Sequence, residues 1–392
     1  MKYTLVTSIL ILAAAAGVLA SDEDDLTSLS YISYLERYAT VQPATQEERL
    51  EATINMPVVA GDRIDTARQA RAEVQLADGS VAWLDEYTSI SLDAMALSRD
   101  TSADRTVLYL AEGAMILEIP ASSLAERSTR IDGSSGTVYA SGPGMYRFDV
   151  MPNGSLRVEV WEGSAEAATA EGVVLIGRAS SADVAGGRLD EVASRQTTTD
   201  NFALWVTQRR HVPEGESAHR VDPRHQRQAA ILDNYGSWVW VSEYASWAWR
   251  PAVTNSWRPY TAGRWYWTPT GWTWVAYEPW GWLPYHYGSW FHTASMGWLW
   301  SWDSYWGPAW VDWVWWPGYV GWCPRGYYSY YWWDRYYDGN RNHHPHQQPP
   351  RDAVRPRPGG RATGSPGNEA PVPPSRFAID LKGVTDIKDI DG

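Results

Sequence analysis

The sequence holds a single cysteine, Cys323, in 392 residues. An exported chain with one thiol cannot close an intrachain disulfide, so its stability must come from packing. Cys323 itself reads as a small buried apolar residue, with a mixed disulfide or a dimer bridge as the other use of a lone thiol. Beyond the N-terminal segment no stretch carries 18 consecutive apolar residues, which leaves no transmembrane span in the mature chain. Positive charge is also scarce: 33 Lys and Arg face 46 Asp and Glu, a net charge of -13, and no basic stripe of the kind a nucleic-acid binder needs is visible. P-loop, HExxH and G-x-S-x-G patterns are missing, so no reaction, metal or cofactor is expected and the chain reads as not an enzyme.

What is present begins with MKYTLVTSILILAAAAGVLA. Lys2 gives a short positive region, Leu5 to Val18 an apolar one, and Val18-Leu19-Ala20 a small-residue cleavage site before Ser21. That order predicts a signal peptide over residues 1–20 and an exported protein, periplasmic or associated with the cell envelope.

Residues 31–186 show strand periodicity. Ala72, Val74 and Leu76 alternate with Glu73 and Gln75; Met115, Leu117 and Ile119, then Tyr146, Phe148 and Val150, then Leu156, Val158 and Val160 repeat the pattern. Asp78-Gly79 and Asn153-Gly154 supply turns between such runs. About ten short antiparallel strands and a β-sandwich or roll are predicted. The stretch VVAGDRIDTARQARAEVQLADGSVAWLDEYTSISL, followed by VLYLAEGAMILEIP, GPGMYRFDV and LRVEVWEGSAEA, resembles a FecR-like domain over Ser33 to Gly186. The resemblance implies an extracytoplasmic β-domain of the type used for protein contacts. FecR itself passes an iron-citrate signal across the inner membrane; here a signal peptide stands where FecR has its cytoplasmic domain and membrane helix.

Residues 187–234 lose the strand pattern and read as a linker with one or two short helices, the first capped by Asp200 with Phe202, Leu204, Trp205 and Val206 as its apolar residues. Composition then shifts sharply. Of 26 tryptophans only Trp83, Trp161 and Trp205 lie outside residues 235–337. Trp257-Arg-Pro259-Tyr260-Thr-Ala-Gly263-Arg-Trp265 matches Trp282-Leu-Pro284-Tyr285-His-Tyr-Gly288-Ser-Trp290, and Gly-Trp-x-Trp follows each at Gly271 and Gly297. This is an internal repeat, predicted as β-hairpins of about 25 residues. The order, FecR-like domain then W-x-P-Y-x-x-G-x-W and G-W-x-W repeats, resembles an uncharacterised family of secreted bacterial proteins. Residues 338–392 are rich in Pro, Arg and His and read as a mostly disordered tail. His343, His344 and His346 lie there, where metal binding would be incidental. The fold expected is therefore mostly β.

In a strand, residues two apart share a face, so Trp272 and Trp274, Trp265 and Trp267, and Trp298 and Trp300 point alike. Two uses are open. The rings form a core, or they form an exposed strip that stacks on a glycan or a protein. The strip would comprise Trp265, Trp272, Trp274, Trp280, Trp282, Tyr285, Trp290, Trp298 and Trp300. The leading expectation is a non-enzymatic envelope protein with a contact or sensing module and an aromatic structural domain, its partner an envelope protein. The alternative is binding of peptidoglycan or exopolysaccharide through exposed tryptophan. A third reading is a glycan hydrolase using two of Glu278, Asp303, Asp312 and Asp334.

Overall fold

The computed structural model describes residues 28–95, 106–121, 129–189, 192–194, 198–211, 215–316, 319–325 and 379–380. Residues 1–20, expected as a signal peptide, the histidine cluster, Asp334 and nearly all of the expected tail lie outside the described residues. Among those described, no helix is long and apolar enough to cross a membrane.

The chain is mostly β, as its periodicity predicts. Its first part is two sheets packed face to face. One runs, in spatial order, Arg188–Leu189, Ser180–Ala185, Leu156–Glu162, Gly144–Val150, Ala114–Ile119, Val81–Leu84, Arg71–Gln75, Ser30–Glu36 and Pro57–Val58. The other runs Gly172–Ile176, Ala165–Thr169, Gly136–Ala140, Thr129–Gly133, Val107–Glu112, Ser89–Ala94, Arg63–Thr66, Ala39–Gln42 and Leu50–Glu51. The alternating residues Ala72, Val74, Leu76, Met115, Leu117, Ile119, Tyr146, Phe148, Leu156, Val158 and Val160 all enter the core between the sheets. Among the described residues through Ser194 there are nineteen strands, more than the ten or so expected. Part of the excess is four edge strands only two residues long, too short to leave a periodic signal.

One pairing corrects the antiparallel expectation: Val107–Glu112 and Thr129–Gly133 run parallel. Parallel neighbours need a crossover, and strand Ala114–Ile119 provides it by leaving for the opposite sheet.

The segment after the sandwich is packed. Asp200 caps helix Asn201–Arg210 by accepting from Ala203 N at 2.7 Å. Phe202 and Val206 cover Val81, Trp83, Ile116 and Met145 on the outer face of the first sheet. Arg209 and Arg210 then reach Glu73 and Glu118 at 2.9 and 2.6 Å.

The tryptophan-rich part is built from hairpins. Gly236–Val241 pairs with Ser246–Pro251, Gly263–Thr268 with Gly271–Ala276, Tyr287–Thr293 with Gly297–Trp306, and Val311–Trp316 with Tyr319–Pro324. Each sets tryptophans opposite one another: Trp238 and Trp249, Trp265 and Trp274, Trp290 and Trp300, Trp313 and Trp322. The glycine of Gly-x-Trp has a packing cause in the first two copies. A Cβ on Gly263 would meet the Trp274 ring at 2.5 Å, and one on Gly236 the Trp249 ring at 2.6 Å. The Trp-x-Pro-Tyr segments differ between copies. The first is a turn with Tyr260 in the left-handed region (φ 61°), whereas Trp282–His286 forms one helical turn.

The two parts are joined by more than the chain. Hairpin 263–276 is buried on both faces. Trp265, Trp272 and Trp274 face the tryptophan cluster, while Tyr266 and Val275 enter the sandwich core. Tyr31 of the sandwich stacks on Trp282 with centroids 3.7 Å apart and planes 7° off parallel. Asn55, in the left-handed region, donates from Nδ2 to the carbonyls of Ala276 and Glu278 at 3.1 and 2.8 Å.

Candidate functional site

All nine rings of the expected strip are buried: Trp265, Trp272, Trp274, Trp280, Trp282, Tyr285, Trp290, Trp298 and Trp300. They pack on one another, with Trp249 edge-on to Trp280 at 4.9 Å and Trp265 edge-on to Trp274 at 5.1 Å. Stacking on a ligand requires a ring face open to water. These positions therefore form core, and an exposed strip at them is corrected on that ground. Burial is accompanied by acceptors for several indoles: Trp300 donates to the Tyr287 carbonyl, Trp249 to that of Leu232, Trp322 to that of Tyr260.

Exposed aromatics exist elsewhere. Trp240 and Trp247, a cross-strand pair at the outer end of the first hairpin, are 50% and 39% exposed. Their rings meet edge-on at 5.7 Å, and the Arg220 guanidinium lies 3.9 Å over Trp247. The pair occupies the register that Trp267 and Trp272 hold in the next hairpin, where Trp272 is buried.

The carboxylates do not gather. Glu278 is half-buried at the seam, accepting from Trp257 Nε1 at 3.0 Å and from the Tyr285 hydroxyl at 3.2 Å. Burial pushes its carboxyl above the ordinary range, against the pull of those two donors. Asp303 is exposed on a strand and accepts from Tyr305 N, while Asp312 is buried in the last hairpin. These three surroundings give a two-carboxylate hydrolase no shared cleft among the described residues. His286 is buried against Trp282, holds the Gly307 carbonyl at 3.0 Å through Nδ1, and has its pKa driven down to about 4 by burial. Cys323 is buried, its thiol pushed well up by burial and directed at the Asp312 carbonyl. That environment suits a packing residue and not a reactive thiol.

One cleft of about 620 Å³ opens at the seam between the two parts. Strand Ser30–Glu36 gives Tyr34 to its wall, the helix gives Arg209, and the second part gives Asn234, Tyr235, Tyr277 and Pro279. Arg209 covers the Tyr34 ring at 3.5 Å and is paired with Glu73. Burial alone would raise the Glu73 carboxyl, but Arg209 and Arg227, with hydrogen bonds from Ser33 and Trp83, hold it below its ordinary value. The sequence pattern had no means of finding this cleft, because its walls come from segments some two hundred residues apart.

The fold and its seam define a β-protein in two fused parts, a sandwich and a tryptophan-cored array of hairpins. Residues 62–166 match the family model described as FecR protein, and residues 229–329 match that of a family of unknown function, DUF6600. No curated protein matches the chain. Two solved structures of a protein assigned as an anti-sigma factor from Parabacteroides distasonis, at 2.50 and 1.65 Å, are similar at 16% and 15% identity. Each has a TM-score of 0.28 over 34% of this chain, which spans 59% of their length.

Proposed function

We propose that the chain is a non-enzymatic, exported envelope protein whose FecR-type sandwich is a protein-contact or sensing module and whose tryptophan hairpins are a rigid structural extension of it. The observation that supports this reading most is hairpin 263–276, buried by tryptophan on one face and by the sandwich on the other. A hairpin enclosed in this way is spent on holding two parts together. Surface for a partner remains on the sandwich, where edge strand Gly172–Ile176 leaves Val173 and Leu175 each 64% exposed. An apolar, uncharged edge strand is a natural site for pairing with another protein.

The test is fractionation of cells expressing the tagged full chain, together with a photo-crosslinking residue at Val173 or Leu175. The reading expects recovery in the envelope or periplasmic fraction and a discrete crosslinked partner. Recovery in the cytoplasm, or crosslinks no different from those of a residue on the opposite sheet, would overturn it. A second reading, glycan binding, is favoured by the half-exposed Trp240 and Trp247. It expects co-sedimentation with purified peptidoglycan or exopolysaccharide that Trp240→Ala/Trp247→Ala abolishes.

A further inference from the structure

We propose that the cleft at the seam is a binding site for a small carboxylate-bearing ligand whose body is an aromatic or pyranose ring. The inference starts from two deeply buried arginines. Arg147 has Asp149 and Asp200 at 2.9 and 2.7 Å, which is how a buried guanidinium is normally compensated. Arg264, only 8% exposed, has no carboxylate partner. Its Nη2 reaches Thr53 Oγ1 at 3.3 Å and Met56 Sδ at 3.4 Å, two weak neutral contacts, and its Nε has no partner. Burial disfavours the charged form of this group, and Glu51, the carboxylate that acts on it, does so from beyond ion-pair distance, so no contacting negative charge offsets the burial.

Its position gives that shortage a direction. Thr53, the residue Arg264 touches, is itself in the cleft wall, and so is Tyr277, whose phenol lies within electrostatic reach of the guanidinium. Arg264 therefore stands immediately behind the wall at which a ligand would end. The guanidinium that lines the wall itself, Arg209, is already neutralised by Glu73. The rest of the cleft suits a flat body. Tyr235 and Tyr277 offer half-exposed rings, Pro279 an apolar surface, and Asn234 an exposed amide. The volume lies within the range of about 300–1,000 Å³ that small-ligand sites occupy, and a junction between domains is a common place for one. A carboxylate held against Thr53 would place a negative charge next to the Arg264 guanidinium, separated from it by that one side chain.

The experiment is calorimetric titration of the full chain with two acids and their neutral counterparts: 4-hydroxyphenylacetate against its amide, and trigalacturonate against cellotriose. The first pair represents an aromatic source of the carboxylate and the second a sugar source. One acid is expected to bind at least about tenfold tighter than its neutral counterpart. Arg264→Met should erase that difference, Arg264→Lys should keep part of it, and Tyr235→Ala, a change at an exposed rim, should weaken binding of acid and neutral compound alike. Near-ultraviolet circular dichroism confirms that each variant is folded; where Arg264→Met is not, Arg264→Lys and Tyr235→Ala decide. Absence of binding by both acids, equal binding of the neutral compounds, or acid binding unchanged by the Arg264 and Tyr235 variants would each overturn the proposal. Partner capture through the sandwich edge does not depend on the outcome.

Discussion

Asn55 tests whether the sandwich and the hairpins are one cooperative body. Its side chain is buried, sits on a backbone in the left-handed region, and donates two hydrogen bonds to carbonyls of the other part. Asn55→Ala removes both. Two buried hydrogen bonds are worth about 1–3 kcal/mol together, and alanine on a left-handed backbone costs about 1–2 kcal/mol. The expected loss is therefore about 2–5 kcal/mol. Asn55→Asp separates the contributions, since aspartate tolerates the conformation but presents oxygens to two carbonyls. It should lose at least the hydrogen-bond share. Urea unfolding read by tryptophan fluorescence reports chiefly on the hairpins, because all but three tryptophans lie beyond the sandwich and its following helix. Far-ultraviolet circular dichroism reports on strands throughout. If the seam couples the two parts, both probes shift together by the same amount. Shifts below about 0.5 kcal/mol, the size of an ordinary surface change, or a shift in fluorescence alone, would refute the coupling.

His286, buried with a pKa of about 4, must take up a proton on unfolding in mild acid. Its contribution is full above the unfolded value of about 6.5 and is lost as pH falls toward 4, a loss of about 3 kcal/mol; denaturant titrations of wild type and His286→Gln across that window should converge as the pH drops. Gly263→Ala should cost about 1–3 kcal/mol because its methyl meets the Trp274 ring and the Val275 carbonyl. Gly297→Ala, which meets open space, carries only the backbone strain of a positive φ, and thermal melts compare the two. Asp200→Ala removes the helix cap and one of two partners of Arg147, so it should lose about 1–2 kcal/mol from the cap alone. Hydrogen exchange should show that loss first in residues 201–210.

The sandwich was legible because its strands bury one face each, so period-2 alternation and Asp-Gly or Asn-Gly turns carry the information locally. Its outer face was less so. Val81, Trp83, Ile116 and Met145 break the expected polar alternation, and the reason, a helix laid across them, lies far along the chain at Asn201–Arg210. The tryptophan repeat shows the same division more sharply. Spacing alone establishes that Trp272 and Trp274 share a face, but no local pattern says what that face meets. In hairpin 263–276 the opposite face carries Arg264, Tyr266, Thr273 and Val275, a mixture with no uniform apolar character that is nonetheless buried against the sandwich.

That burial has a physical cause with consequences for function. A hairpin with one heavy aromatic face and one light polar face would ordinarily turn the light face to water. Here the light face is the adhesive one, because Asn55 and Thr53 supply polar partners and Met56 and Val58 belong to the apolar core that Tyr266 and Val275 join. Polar groups placed at such a seam are costly unless matched. Asn55 is matched by two carbonyls, and Arg264 is not matched by any carboxylate. If rigidity were the whole purpose of the seam, an apolar residue at 264 would serve better, since replacing unmatched buried charge by hydrophobic volume is often stabilising. Arg264→Met should therefore raise stability whether or not the seam holds a ligand, and the loss of acid binding alone tells the two apart.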